Sequence, residues 1–170
     1  MSKKVIIPNM VTLANLLLGV VSLVYTMEGR FQIAATAILL AMVLDGMDGK
    51  IARKLDVTSN FGKELDSLCD LVSFGVAPAL LVYSSILQDI GHLGLIIAVN
   101  FALCGAIRLA RFNVLNVTTH FIGVPITFAG GLMALAILLV NRIPLPLVVF
   151  PILTLVLSYL MVSNLKVPKY

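Results

Sequence analysis

Four carboxylates set the chemical problem in this sequence. Asp45 and Asp48 lie three residues apart, Asp66 and Asp70 four apart, and both pairs border long apolar runs. On helices, either spacing puts the two partners on one face. The 14 residues from Phe31 to Leu44 climb about 21 Å at 1.5 Å each, which sets Asp45 near the boundary of a membrane. An aspartate at the centre of a bilayer costs roughly 2.5–3.5 kcal/mol, less toward the interface. Like charges from two helices add repulsion. Protonation or partner cations relieve that cost. Hard oxygen ligands converging in pairs suit magnesium, manganese or calcium, with phosphate oxygens completing the coordination. The chemistry expected here is a pair of divalent ions gripping a phosphorylated ligand.

Gly46, Gly49 and Ala52 recur every third residue along the same segment, and Gly62 stands where the next helix begins. A helix glycine costs up to about 1 kcal/mol relative to alanine, so the cluster asks for a reason. One is close packing of helices through small residues. The other is a backbone laid bare for phosphate or base to approach. Arg53 is either a phosphate ligand or the marker of a helix end. Thr58 and Ser59 can contact phosphate, although short polar residues are ordinary turn formers. Asn100, Cys104, Arg108 and Arg111 follow at spacings of four, four and three, a single helical stripe. Two guanidinium groups at its end suit bidentate recognition of carboxylate or phosphate; the alternative makes them topology determinants. Asn9, Thr12, Asn15 and Gly19 share a face of the first helix, placed to reach a nucleotide or to hydrogen-bond between helices.

The elements that must hold these residues are membrane helices. Of 170 residues, 60% are hydrophobic and 12% charged, against the roughly 25% charged share of a soluble domain. Mean hydropathy is +1.08. Apolar runs cover Val5–Tyr25, Phe31–Leu44, Leu65–Leu87, His92–Ala110, Val124–Val140 and Pro144–Val162. Each is near the roughly 20 residues that cross a bilayer, the second only if its helix continues through the aspartates to Lys54. Lipid leaves backbone polar groups unsatisfied outside helices or closed barrels. The expected fold is therefore all-α, one polytopic membrane domain over residues 1–170 with six transmembrane helices. Pro8, Asn9, Thr12 and Asn15 make the first run too polar for a cleaved signal peptide.

The net charge of +4 is distributed as topology, not as a nucleic-acid surface. With the N-terminus cytoplasmic, Lys3, Lys4, Lys50, Arg53, Lys54, Lys63, Arg108, Arg111, Lys166 and Lys169 fall inside, and only Arg30 and Arg142 outside. That asymmetry follows the positive-inside rule. It puts both termini in the cytoplasm and the acidic cluster at the inner interface of the cell membrane. Cys69 and Cys104 lie within spans on that reducing side and are expected as packing residues, not a disulfide.

Asp45-x-x-Asp48-Gly49-x-x-Ala52-Arg53, then Gly62-x-x-x-Asp66-x-x-x-Asp70, resembles the complete signature of the CDP-alcohol phosphatidyltransferases, with every fixed position present. The resemblance implies a CDP-activated lipid as donor, with ester- or ether-linked tails. It implies two divalent ions, Mg2+ or Mn2+ with Ca2+ a further candidate, surrounded by Asp45, Asp48, Asp66 and Asp70. Asp70 would double as general base, Gly49, Ala52, Arg53 and Gly62 would form the nucleotide-binding region, and the chain would be a homodimer. Asn15 and Ser59 join the expected CDP-lipid-binding residues; Arg108 and Arg111 are the expected acceptor or phosphate site. Asp66 to Pro78, Ile7-Pro8-Asn9, Arg108 to Asn113 and Phe121-x-Gly123-Val124-Pro125 resemble the phosphatidylserine synthase branch, which takes L-serine as acceptor. Cys69 stands where that branch is expected to carry alanine.

Two rivals remain open at this point. Glycerol 3-phosphate or inositol phosphate would serve as acceptor in a more basic pocket. A divalent-cation transporter is the rival from another class, since intramembrane carboxylates also line ion paths. The motif aspartates gather at one interface with no matching acidic site across the membrane, which counts against transport.

Overall fold

Large apolar side chains are exposed along whole helix faces, while polar and small ones are buried beside the apolar core. Along α1 (Lys3–Met27), Thr12, Asn15, Ser22 and Thr26 are buried while Leu13, Leu17, Val20 and Val24 are exposed. Along α5 (His92–Leu115), Gly94, Ala98, Gly105 and Arg108 are buried while Ile96, Val99, Leu103 and Ile107 are exposed. Both stripes recur at helical spacing. Contiguous apolar faces of this size require a nonaqueous neighbour, and small or hydrogen-bonding residues are what membrane helices use to meet one another.

The computed structural model describes the backbone of residues 3–55, 59–115, 120–140, 146–163 and 166–168, and side chains within 9–47, 59–114, 123–140 and 146–163. After α1, the chain turns at Gly29, whose φ is +72°, into α2 (Phe31–Leu55). A third rod joins α3 (Asn60–Asp70), a π-helical turn (Leu71–Val76) and α4 (Ala77–Ser85). A short 3-10 turn (Leu87–Ile90) leads through Gly91, with φ +62°, into α5. Helices α6 (Ile126–Val140) and α7 (Val149–Val162) complete the bundle.

Six rods thus occupy the six apolar runs. Asn9–Met27, Asn60–Ser85 and His92–Val114 are long and apolar enough to cross a membrane, whereas Phe31–Met47, Ile126–Val140 and Val149–Val162 are shorter apolar helices. The 15 residues of α6 and 14 of α7 rise only about 22 and 21 Å. The last helix starts at Val149 rather than Pro144, which lies outside the described residues.

The all-α expectation holds for the bundle, with one short addition among the described residues. His120–Ile122 (β1) and Lys166–Pro168 (β2) form an antiparallel ribbon in which Phe121 pairs with Val167. Short apolar and β-branched stretches beyond the helix ends favour extended backbone, and the pairing satisfies groups that no helix covers.

The core sits where α2, the third rod, α5 and α6 meet: Ala34, Ala35, Ile38, Phe74, Phe101, Ala129 and Met133 are fully buried or nearly so. A Cβ on Gly130 would stand 2.5 Å from the carbonyl oxygen of Phe74, so α6 rides directly on the third rod's backbone. Cys69 and Cys104 form no disulfide. That close stacking fixes α2, the third rod and α6 relative to one another, and all three carry groups of the site.

Candidate active site

The acidic cluster is assembled from two rods. Ser59 opens α3 by accepting the Gly62 amide at 3.0 Å, satisfying one of the unpaired donors of a helix start. One and two turns on, Asp66 and Asp70 face the end of α2 that carries Asp45. Carboxylate oxygens of Asp45, Asp66 and Asp70 all lie within 4.8 Å of one another. Asp70 is buried, and Asp45 and Asp66 are half-buried. Two ionised carboxylates about 4 Å apart repel by roughly 4 kcal/mol at an effective dielectric constant of about 20, so the arrangement needs positive charge.

Part of it comes from Arg108, on α5. Its buried guanidinium interacts electrostatically with both Asp70 and Asp45, and its Nε has no hydrogen-bond partner among the described residues. Among the described residues, three carboxylates face one guanidinium. The Thr127 hydroxyl, at the start of α6, donates to Asp45, which also meets Asp70. From α1, Asn15 Nδ2 donates to Asp70 Oδ1 at 3.3 Å, while Asn15 Oδ1 is buried with no partner among the described residues. The convergent carboxylates form a hard-oxygen donor set. Such a set fits a divalent ion.

The CDP-alcohol phosphatidyltransferase sequence profile matches residues 5–163. The chain belongs to that family. Among its relatives is a Bacillus subtilis protein, 41% identical over 165 residues, covering 96% of this chain and 90% of the relative. A Methanocaldococcus jannaschii protein is 40% identical over 169 residues, covering 99% and 76%. A Helicobacter pylori protein is 38% identical over 170 residues, covering 96% and 72%. All three are named CDP-diacylglycerol–serine O-phosphatidyltransferase.

Within this phosphatidyltransferase, Asp45, Asp66 and Asp70 come together, with Asn15 and Arg108 against them. Asp48, Gly49, Ala52 and Arg53 continue α2, but their side chains lie outside the described residues. Gly62 is tightly placed: a Cβ there would lie 3.1 Å from both Asn9 Oδ1 and Ser59 Oγ, so α1 and α3 meet at this point. At Gly46 a Cβ would meet nothing within 4 Å. Among the described residues, no neighbouring helix is packed against Gly46. Arg111 donates from Nη1 to the Val162 carbonyl at 2.7 Å, tying α5 to the end of α7.

Two features escaped the sequence reading. Thr127 is the one hydroxyl in Ile126–Val140, a signal that could have drawn attention to it. Asn113 donates to Glu64 Oε2 at 3.2 Å and to Ser67 Oγ at 3.0 Å, while Lys63 Nζ reaches the Asn113 carbonyl at 3.4 Å. This cluster clamps the ends of α3 and α5 beside the aspartates.

Proposed function

We propose that this family member transfers the phosphatidyl group of CDP-diacylglycerol, or of an ether-lipid equivalent, to the hydroxyl of L-serine, releasing CMP. The observation that carries the reading is the convergence of Asp45, Asp66 and Asp70 beside buried Arg108, in a chain whose relatives carry that activity in their names. Asp45, Asp66 and Asp70, with Asp48 further along α2, would hold two divalent ions. Such ions would supply charge neutralisation for the pyrophosphate and the departing CMP.

The chain's own residues do the rest. Asp70 takes the proton from the serine hydroxyl as that oxygen bonds to the lipid-side phosphorus and the bond to CMP breaks. A hydroxyl becomes an effective nucleophile when a positioned base removes its proton. Arg108 binds an anionic oxygen, of the serine carboxylate or of the donor phosphate, in the geometry that guanidinium favours. Arg111 frames the same acceptor pocket from α5. Gly49, Ala52, Arg53, Ser59 and Gly62 form the bed for the cytidine diphosphate, and the open side of α2 at Gly46 leaves room for it.

The placement suits an enzyme whose two substrates differ in phase. Six transmembrane spans with both termini in the cytoplasm keep the acyl chains in the cell membrane while cytidine and serine arrive from water. The described carboxylates at the opposite end, Glu28 and Asp89, are exposed, and Glu28 faces Arg30 at 3.8 Å. That one-sided distribution favours transfer over a transmembrane ion path. The assembly proposed is a homodimer, which light scattering in detergent tests.

CMP release in detergent, with and without Mg2+ or Mn2+, decides the activity. Labelled serine, glycerol 3-phosphate and inositol phosphate are offered separately with a CDP-lipid. Metal-dependent product from serine alone is expected. Product only from a phosphorylated acceptor overturns the serine assignment, and metal uptake into proteoliposomes without CMP release overturns the enzyme.

A further inference from the structure

The third rod changes its helical pitch directly after Asp70. From Leu71 to Val76 the chain is π-helical, and the Ala77 amide bonds to the Val72 carbonyl five residues back. Each such ring holds one residue more than an α-helical ring. Turns of this kind are rare, and those that occur are frequently at functional sites. Here the π turn packs against α1, α2, α5 and α6. Phe74 meets Gly130 of α6, Gly75 lies near Gly105 of α5, and Ser73 meets α1 at Asn15 and Gly19.

The contact with α1 runs back to the aspartate. Ser73 Oγ donates to the main-chain carbonyl of Asn15 at 3.1 Å, and Asn15 Nδ2 donates to Asp70 Oδ1 at 3.3 Å. Asn15 and Ser73 are both 0% exposed and Asp70 8%, so water does not compete for these bonds. The amide must face Asp70 with its nitrogen, because the reverse orientation would set an oxygen dipole against a carboxylate. Gly19, one turn along α1 from Asn15, permits the approach: any Cβ there would collide with Ser73 Oγ and crowd its Cα.

We propose that Asn15 and Ser73 form a latch that positions Asp70, with the π turn supplying the register that closes it. Asn15 is then a positioning residue rather than a nucleotide contact. Its amide occupies one carboxylate oxygen of Asp70 and turns the other toward the reacting hydroxyl. Ser73 holds the backbone of α1 at the height where the amide reaches. This inference rests on Asp70 being the base.

The test uses the full-length protein in detergent with CDP-lipid, serine and saturating Mn2+. Asn15→Leu keeps the volume and removes the donor; kcat should fall at least tenfold while both KM values stay within twofold. Gly19→Ala opens the latch without touching a carboxylate and should lower kcat in the same selective way. Ser73→Ala should cost severalfold, and the Asn15→Leu, Ser73→Ala double variant should be no slower than Asn15→Leu alone. A nucleotide contact at Asn15 would instead raise the KM for CDP-lipid, and independent packing roles would multiply the two losses. Either result overturns the latch. Should Asn15→Leu fail to fold, Gly19→Ala and Ser73→Ala carry the same decision through their kcat and KM. Full turnover by Asp70→Asn defeats the base assignment itself, whereas an inactive Asp70→Asn beside a fully active Asn15→Leu defeats the latch alone.

Discussion

Polar side chains behave differently in two regions of this bundle. Around the aspartates they bond across helices: Asn15 of α1 to Asp70 of α3, Ser73 of the π turn to α1, and Thr127 of α6 to Asp45 of α2. Along α7 and at the opposite end of the rods, the main hydroxyl bonds run to the same helix, apart from a 3.9 Å contact of Thr154 with the Met133 sulfur. Thr26 donates to the Ser22 carbonyl, Ser85 to Leu81, Thr154 to Phe150 and Ser158 to Thr154. A bond four residues back satisfies a buried hydroxyl whatever the neighbouring helices do. A bond between helices works only in one register. Gln32, whose amide reaches the Ile137 carbonyl at 3.3 Å, is a crossing contact at the far end. The acidic end differs in that its crossings converge on carboxylates.

If that convergence is what makes the acidic end a site, the largest effect belongs to Asp70. Asp70→Asn keeps the shape and removes the base, and CMP release should fall about 10²–10⁴-fold. Turnover at the wild-type rate would reduce the contrast between the two ends to one of packing. Arg108→Gln comes next. Hydrogen bonds to a charged group contribute roughly 1.5–3 kcal/mol, so the KM of the substrate that Arg108 holds should rise about 10- to 100-fold. A rise for serine alone assigns the guanidinium to the acceptor carboxylate; a rise for CDP-lipid alone assigns it to the donor phosphate.

Much of this asymmetry is legible in the sequence, because charge in an apolar chain is rare enough to locate. Asp45, Asp66, Asp70 and Arg108 stand out by residue type and spacing alone, and the apolar runs outline six rods. The crossings are harder to read. Thr127 and Thr154 are both lone threonines in apolar helices, yet one caps a carboxylate and the other folds back on its own helix. The difference lies in which helix stands opposite, which tertiary packing decides. The π turn is invisible for a similar reason: Leu71–Val76 has ordinary helical composition, and what distinguishes it is tertiary, four helices packing against it. The ribbon escaped too, since two three-residue strands carry too short a pattern to separate from loop.

Smaller substitutions sharpen the contrast. Thr127→Val removes one hydrogen bond to Asp45 and leaves volume nearly unchanged. A net loss of about 0.5–1.5 kcal/mol should appear as a roughly 3- to 10-fold fall in kcat/KM, with thermal unfolding in detergent little altered. Gly46→Ala should separate stability from activity. With open space around the added methyl, helix propensity predicts up to about 1 kcal/mol of stabilisation. Turnover should nevertheless fall severalfold if the nucleotide lies against that face. A variant both more stable and fully active would show that Gly46 serves neither packing nor substrate.

The smallest effect is expected at Thr154, and it tests the other half of the comparison. Thr154 is fully buried, as Asn15 is; its hydroxyl lies 2.7 Å from the Phe150 carbonyl and, across to α6, only a weak 3.9 Å from the Met133 sulfur. Thr154→Val exchanges that hydroxyl for a methyl of similar size. The carbonyl keeps its own helical partner in the i→i−4 ladder of α7, so no acceptor is orphaned. Hydrogen bonds within membrane proteins average about 0.6 kcal/mol by double-mutant cycles, and a local back-bond should be worth no more. Unfolding in detergent should therefore shift by less than about 1 kcal/mol, with kcat and both KM values within twofold of wild type. A large loss of turnover would mean that burial of a hydroxyl, rather than its crossing to a carboxylate, governs activity, and the distinction between the two regions would fail.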